Sequence, residues 1–331
     1  MPHFDVVTIG NAIVDVIAKT DEDFLIQNGI VKNAMNLVDG ARAELLYSRM
    51  SDAIEMSGGS AANTAAGIAN FGANVSFMGK VAADHLGQVF AHDMRFQGVL
   101  YDTKPLEKGA STARSMIFVT PDGERSMNTY LGACVEFGPE DVEIAKILKS
   151  KIVYFEGYLW DPPRAKEAIR MAARIAHETG NDVALTLSDS FCVDRYRQDF
   201  FELIRTGTVN ILFANEAEIL SLYETQSLET AITAIRNDIR GFACITLGSK
   251  GAVIVTRDKT WAIDAFPVAE VVDATGAGDL FATGFLYGHS KGLDMEKCGK
   301  LGSFAASLVI QQVGPRLPFS LKEAAIQKGL L

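Results

Sequence analysis

Apolar residues in this chain come in short, nearly continuous blocks. Residues 5–9 form a β-branched run stopped by Gly10, and 75–78, 152–155, 183–187, 209–213 and 243–247 repeat that texture. Runs of this kind suit strands buried on both faces. Between the later blocks, apolar residues recur at helical spacing, which predicts helices over roughly 164–178, 195–206 and 228–240. Strand alternating with helix predicts an α/β fold: a mostly parallel central sheet with helices on both faces.

The first third is less regular. A second strand is expected at 13–18, and 21–52 is mixed, with a helix over 41–50. From Gly58 to Gly72 the chain reads as a glycine turn, a helix of small residues and a glycine stop. An amphipathic helix follows over 84–97. Residues 115–120 and 125–130 flank the turn Pro121-Asp122-Gly123-Glu124 and predict a hairpin, either on the main sheet or on a separate flap. A second hairpin is expected at 253–256 and 260–263, and helices at 279–290, 294–311 and 320–328 close the chain.

Composition narrows the function. With 48% hydrophobic and 22% charged residues, the 331-residue chain is of ordinary globular make-up. A net charge of −10 disfavours a nucleic-acid partner, which would call for a basic surface. Cys134, Cys192, Cys244 and Cys298 are widely spaced, which fits a reducing cytoplasmic setting and neither a disulfide framework nor a zinc site. The opening MPHFDVVTIG has no secretory-leader pattern, and no apolar run is long enough to span a membrane. His3, His85, His92, His177 and His289 show no metal-ligand spacing. The chain also lacks the P-loop, the dinucleotide glycine motif and the Gly-x-Ser-x-Gly elbow.

The sharpest chemical feature is Asp273-Ala274-Thr275-Gly276-Ala277-Gly278-Asp279, which feeds a helix expected to start near Asp279. The N–H groups of a helix start lack partners and carry partial positive charge, so they can hold a phosphoryl anion. A carboxylate at that spot can take a proton from an attacking hydroxyl. Read locally, Asp279 serves equally well as a helix cap.

The whole string resembles the second signature of the ribokinase-like carbohydrate and nucleoside kinases. Gly58-Gly59-Ser60-Ala61-Ala62-Asn63, with Leu86 and Gly87, resembles the first. The resemblance runs from about residue 4 to 315 and implies a ribokinase-like α/β domain spanning 1–331 with a small β-rich lid drawn from roughly 11–40 and 100–131. It implies Asp279 as base, with Gly276, Ala277 and Gly278 forming the anion hole. Asn11, Asp15, Gly58, Gly59 and Asn63 would hold the acceptor. ATP would lie along Asn215, Thr246, Gly248 and Gly251. Mg²⁺ would be reached from Glu218 and Asn215 through water, and a monovalent cation such as K⁺ from Asp273 and Thr275. Val313-Gly314-Pro315-Arg316 departs from the family pattern and puts that cation in question.

Two segments are similar to the adenosine-kinase branch. Gly123-Glu124-Arg125-Ser126-Met127 resembles the strand whose arginine closes over the site, so Arg125 would steady the transferring phosphoryl group. Tyr154-Phe155-Glu156-Gly157-Tyr158-Leu159-Trp160 would offer Tyr158 or Trp160 as a ring to stack on a base. The resemblance thus implies a monomeric or homodimeric kinase of the 5′-hydroxyl of a nucleoside, adenosine first, acting in purine salvage. A sugar kinase and an inactive nucleoside-binding sensor are the alternatives.

Overall fold

The computed structural model describes residues 3–331; Met1 and Pro2, counted above in the domain, lie outside the described residues. The chain runs through β1 (Phe4–Ile9), β2 (Ile13–Lys19), α1 (Glu22–Gln27), β3 (Met35–Leu37), α2 (Gly40–Tyr47) and β4 (Ile54–Gly58). It continues as α3 (Ser60–Asn70), β5 (Val75–Met78), α4 (His85–Phe96), β6 (Ala113–Val119) and β7 (Arg125–Tyr130). Regular alternation follows: α5 (Ile144–Ile147), β8 (Ser150–Glu156), α6 (Pro163–Glu178), β9 (Asp182–Thr186), α7 (Ser190–Thr206), β10 (Ile211–Asn215), α8 (Glu216–Leu222), α9 (Leu228–Asp238) and β11 (Phe242–Thr246). The hairpin β12 (Ala252–Thr256) and β13 (Thr260–Ile263) precedes α10 (Ala277–Ser290), α11 (Met295–Val309) and α12 (Leu321–Gln327).

Two sheets result. The eight-stranded one has the order β13-β12-β11-β10-β9-β8-β1-β5 and is parallel from β11 to β5, with the β12–β13 hairpin antiparallel at its edge. Every residue of β1 and β5 is buried, as expected for strands covered on both faces. Apolar cores lie on each side of this sheet, one beneath α3, α10 and α11 and the other beneath α6, α7 and α9.

The five-stranded sheet has the order β3-β7-β6-β2-β4. The 115–130 hairpin therefore belongs to a separate sheet. Its strands extend past the expected segments, because β4 at 54–58 also joins it. In β2 burial alternates: Val14, Val16 and Ala18 are buried, whereas Ile13, Asp15 and Ile17 are partly open. Register puts Asp15, Ser115, Thr129 and Arg125 on one face. The opposite face buries Met116 and Phe118 under Leu25, Ala43 and Leu46 of α1 and α2. Period-two patterning thus turns a polar face away from the helices. Among the described residues no helix is long and apolar enough to cross a membrane.

Small residues bring the two site-bearing helices together. A Cβ on Gly67 of α3 would lie 2.5 Å from Thr283 Oγ1 of α10, and that hydroxyl donates to Thr64 O at 3.1 Å. With no side chain between them, the helix starts at Ser60 and Ala277 face each other.

Candidate active site

The N-terminus of α10 is the centre of the site. The helix begins at Ala277, two residues earlier than its sequence suggested, because Gly276 caps it in the left-handed region at φ 79°. That conformation suits glycine, and a Cβ there would also meet Pro315 at 2.7 Å. Asp279 consequently lies in the first helical turn and is not the cap. The N–H groups of Gly278 and Asp279 have no protein acceptor among the described residues, whereas that of Ala277 donates to Ala274 O at 3.2 Å. The N–H groups free to meet an anion at this helix start are therefore those of Gly278 and Asp279.

The Asp279 carboxylate is held on both oxygens. Ser60 Oγ donates to Oδ1 at 2.6 Å and Asn63 Nδ2 to Oδ2 at 2.8 Å. Burial pushes this carboxyl up, while those two donors and the Arg316 charge pull it back; the net is a rise. Asn63 Oδ1 is buried without a donor among the described residues, an acceptor aimed beside Asp279. A substrate hydroxyl would satisfy it.

Asp15 lies across the glycine turn from this pair. A Cβ on Gly58 would fall 2.4 Å from Asp15 Oδ2, and Gly59, at φ 94°, passes so near Asn11 O that a Cβ would sit 2.3 Å away. Burial raises the Asp15 carboxyl to about 6 against the opposing charges of Arg316 and Arg125.

Glu156, at the end of β8, supports the turn from beneath and was missed as a site residue. It is 1% exposed. Its Oε1 accepts from Asn11 N at 3.0 Å and Asn11 Nδ2 at 2.8 Å, and its Oε2 from Ala61 N at 2.6 Å. Asn11 thus spends its amide N–H groups on Glu156, and its Oδ1 accepts no hydrogen bond among the described residues. Arg316 was also missed. It is half-buried and donates to Ala62 O at 3.0 Å, Ser57 O at 3.2 Å and Ser57 Oγ at 3.0 Å, bracing both ends of the turn. Neither residue carries a local signal, since each acts on segments distant in sequence.

Two cavities meet at Gly278. One, of about 460 Å³, is lined by Thr246, Gly248 and Gly251 together with Phe266, Val268 and Ile310. Its size and largely apolar wall suit a flat heterocycle. The other, of about 280 Å³, joins Asp279 and Gly276 to Asn215, Glu218 and Tyr158. Asn215 and Glu218 form a reciprocal helix cap: Asn215 N and Nδ2 donate to Glu218, and Glu218 N donates back to Asn215 Oδ1. Burial, with the charges of Asp189 and Asp279, lifts the Glu218 carboxyl to about 7. Glu218 and Asp279 are the two carboxylates on this cavity, and among the described residues no group of three or more metal-ligating side chains lies there, so a Mg²⁺ would be reached only through its waters.

The remaining expectations sort by geometry. Trp160 is fully buried between Phe155 and Phe200 and donates Nε1 to Asp199 at 2.7 Å, so it is core and not a stacking platform. Tyr158 borders the Asn215–Glu218 cavity, its OH donating to Ser188 O at 3.3 Å. Arg125 reaches across from β7 to Asp273, with Nη2 3.0 Å from Oδ2 in an ion-pair contact that is not aligned as a hydrogen bond. Thr275 donates its N–H to Asp273 Oδ1 at 3.0 Å.

In sequence and fold the chain is similar to known proteins. The family model described as pfkB family carbohydrate kinase matches residues 4–322. A structure described as adenosine kinase from Sinorhizobium meliloti is 58% identical, with a TM-score of 0.91 over 98% of this chain and 99% of that one. A probable sugar kinase of Rhizobium etli is 59% identical, with a TM-score of 0.93 over the whole of both chains. The adenosine kinase of Saccharomyces cerevisiae is 26% identical over 336 residues, covering 94% of this chain and 96% of its own. The chain belongs to the pfkB family of carbohydrate kinases, and it is a phosphotransferase with a hydroxyl acceptor, of the sugar and nucleoside kinase class.

Proposed function

We propose that the chain transfers the γ-phosphoryl group of MgATP to the 5′-hydroxyl of a ribonucleoside, adenosine first. The observation that carries the chemistry is Asp279: a half-buried carboxylate, gripped by Ser60 and Asn63, at a helix start with unpartnered N–H groups. The adenosine preference is supported by the 58% identical relative described as adenosine kinase.

In this reading the adenine and ribose of ATP occupy the 460 Å³ cavity, and its phosphates extend past Gly278 into the polar one. Asp15, the Gly58-Gly59 turn, Asn11 Oδ1 and Asn63 Oδ1 hold the acceptor's hydroxyls. The five-stranded sheet, carrying Asp15 and Arg125 on one face, serves as the lid over the acceptor. Asp279 takes the proton from the attacking oxygen, and the Gly278 and Asp279 N–H groups stabilise the charge that spreads over the phosphoryl oxygens. Asn215 and Glu218 would hold Mg²⁺ through its water shell, where the ion supplies charge neutralisation on the phosphates. Excluding water when the sheet closes limits hydrolysis of ATP.

The test is an ADP-release assay with MgATP against adenosine, guanosine, inosine, cytidine, ribose and fructose. Adenosine is expected to give the highest kcat/KM. Turnover of a free sugar alone would replace the nucleoside reading with a sugar-kinase one.

A further inference from the structure

The loop that carries the anion site begins at Asp273, and its carboxylate is fully engaged. Oδ1 accepts from Thr275 N at 3.0 Å, and Oδ2 accepts from Gly314 N at 2.8 Å. The Arg125 guanidinium lies 3.0 Å from Oδ2, with both side chains nearly buried. Both carboxylate oxygens thus already have partners, and the charge of Asp273 is compensated by the guanidinium beside it.

Three carbonyl oxygens of the 310–316 segment also accept hydrogen bonds already. Ile310 O accepts from Val272 N at 2.8 Å and Asp273 N at 3.2 Å. Gly314 O and Arg316 O both accept from Gln312 Nε2, at 3.3 and 2.7 Å. A K⁺ ion at Asp273 would have to compete with these donors, and it would sit against a guanidinium 3.0 Å from the carboxylate. The residues present do not fit the monovalent cation that the family resemblance implied.

We infer that Arg125 supplies, from within the protein, the positive charge that a monovalent cation would otherwise bring to Asp273. One side chain then joins two tasks. It fixes the carboxylate at the head of the Gly276–Asp279 loop, and it ties strand β7 of the five-stranded sheet to that loop. The alignment of the anion site would thus depend on the second sheet being in place, with no added ion. Arg125 is in this sense a positioning residue acting through Asp273. The inference holds whichever hydroxyl is the acceptor.

The experiment compares the full-length protein in KCl, NaCl and choline chloride at one ionic strength, by thermal midpoint and by ADP-release rate. The wild type is expected to behave alike in all three, with rates within about twofold. Arg125→Gln uncovers the Asp273 charge, so its midpoint should rise with K⁺ concentration, as it does for any ion that binds the folded state. Its rate, lowered in choline, should recover several-fold in K⁺. Arg125→Lys, which keeps the charge, should stay indifferent to K⁺. Activation of the wild type by about tenfold or more in K⁺ over choline would overturn the inference, and so would an Arg125→Gln midpoint as insensitive to K⁺ as the wild type's. The wild-type arm requires no variant to fold, and the midpoint requires no acceptor, so a wrong acceptor assignment leaves the test intact.

Discussion

Glu156→Gln isolates the buried carboxylate on which the acceptor turn is built. The wild-type side chain accepts three N–H groups, two on Oε1 and one on Oε2. Glutamine can keep the pair from Asn11 on its carbonyl oxygen, but its NH₂ group then faces the Ala61 N–H, donor against donor. Leaving a buried donor unpaired costs about 1–3 kcal/mol. An opposing effect depends on pH. Burial raises the Glu156 carboxyl from 4.5 to about 7, which disfavours its charged form by roughly 3 kcal/mol. A carboxyl raised on folding binds more protons folded than unfolded between those values. Its contribution is therefore present at low pH and is lost as pH rises through the folded value. Between about pH 5.5 and about pH 8.5 that loss is roughly 2 kcal/mol, and the glutamine variant lacks it. Urea unfolding of both proteins at the two pH values should show the variant weaker at the lower one, with the gap closing by roughly 2 kcal/mol at the higher. Other raised carboxyls, Asp15 and Glu218 among them, contribute alike to both proteins and cancel. A gap that stays constant with pH, or widens, would refute the claim that burial raises the Glu156 carboxyl.

Three further outcomes are expected. Gly67→Ala forces a methyl to within 2.5 Å of Thr283 and should cost about 1–3 kcal/mol by overpacking α3 against α10, with kcat falling although no ligand is touched; chemical denaturation and steady-state rates check both. Asp15→Ala should raise the acceptor KM while leaving the ATP KM near its starting value, and an unchanged acceptor KM would remove Asp15 from the acceptor site. The kcat profile should lose activity as pH falls, because Asp279 must be ionised to accept a proton; its raised carboxyl puts that limb above the ordinary carboxylate range, and a limb at the ordinary value would contradict the burial argument.

The parallel core was legible because its signal is local. Runs such as Ile152–Phe155 are apolar throughout only when both faces are covered, and the structure places that segment in β8. The five-stranded sheet was less legible. β4 reads Ile-Glu-Met-Ser-Gly and β3 only Met-Asn-Leu, and neither alternates strongly enough to stand out from a loop. Hairpin chemistry around Asp122-Gly123 identified β6 and β7 but not the sheet they join, which depends on pairing with β2 and β3. The same contrast holds in the site. Asp279 and the Gly58-Gly59 turn lie in contiguous motifs, whereas Glu156 and Arg316 act only once β8 and the 312–316 turn have been brought against α3. Trp160 illustrates the converse error, since aromatic identity carries no direction, and packing against Phe155 and Phe200 turned this ring inward.

The most direct test of the central claim is Asp279→Asn, assayed for phosphoryl transfer from MgATP to adenosine alongside calorimetric MgATP binding. Asparagine keeps the size of the side chain but cannot take the proton. The account predicts a fall in kcat of about 10²–10⁴-fold with MgATP affinity little changed. Near-normal kcat in the variant would contradict the assignment of Asp279 as the base.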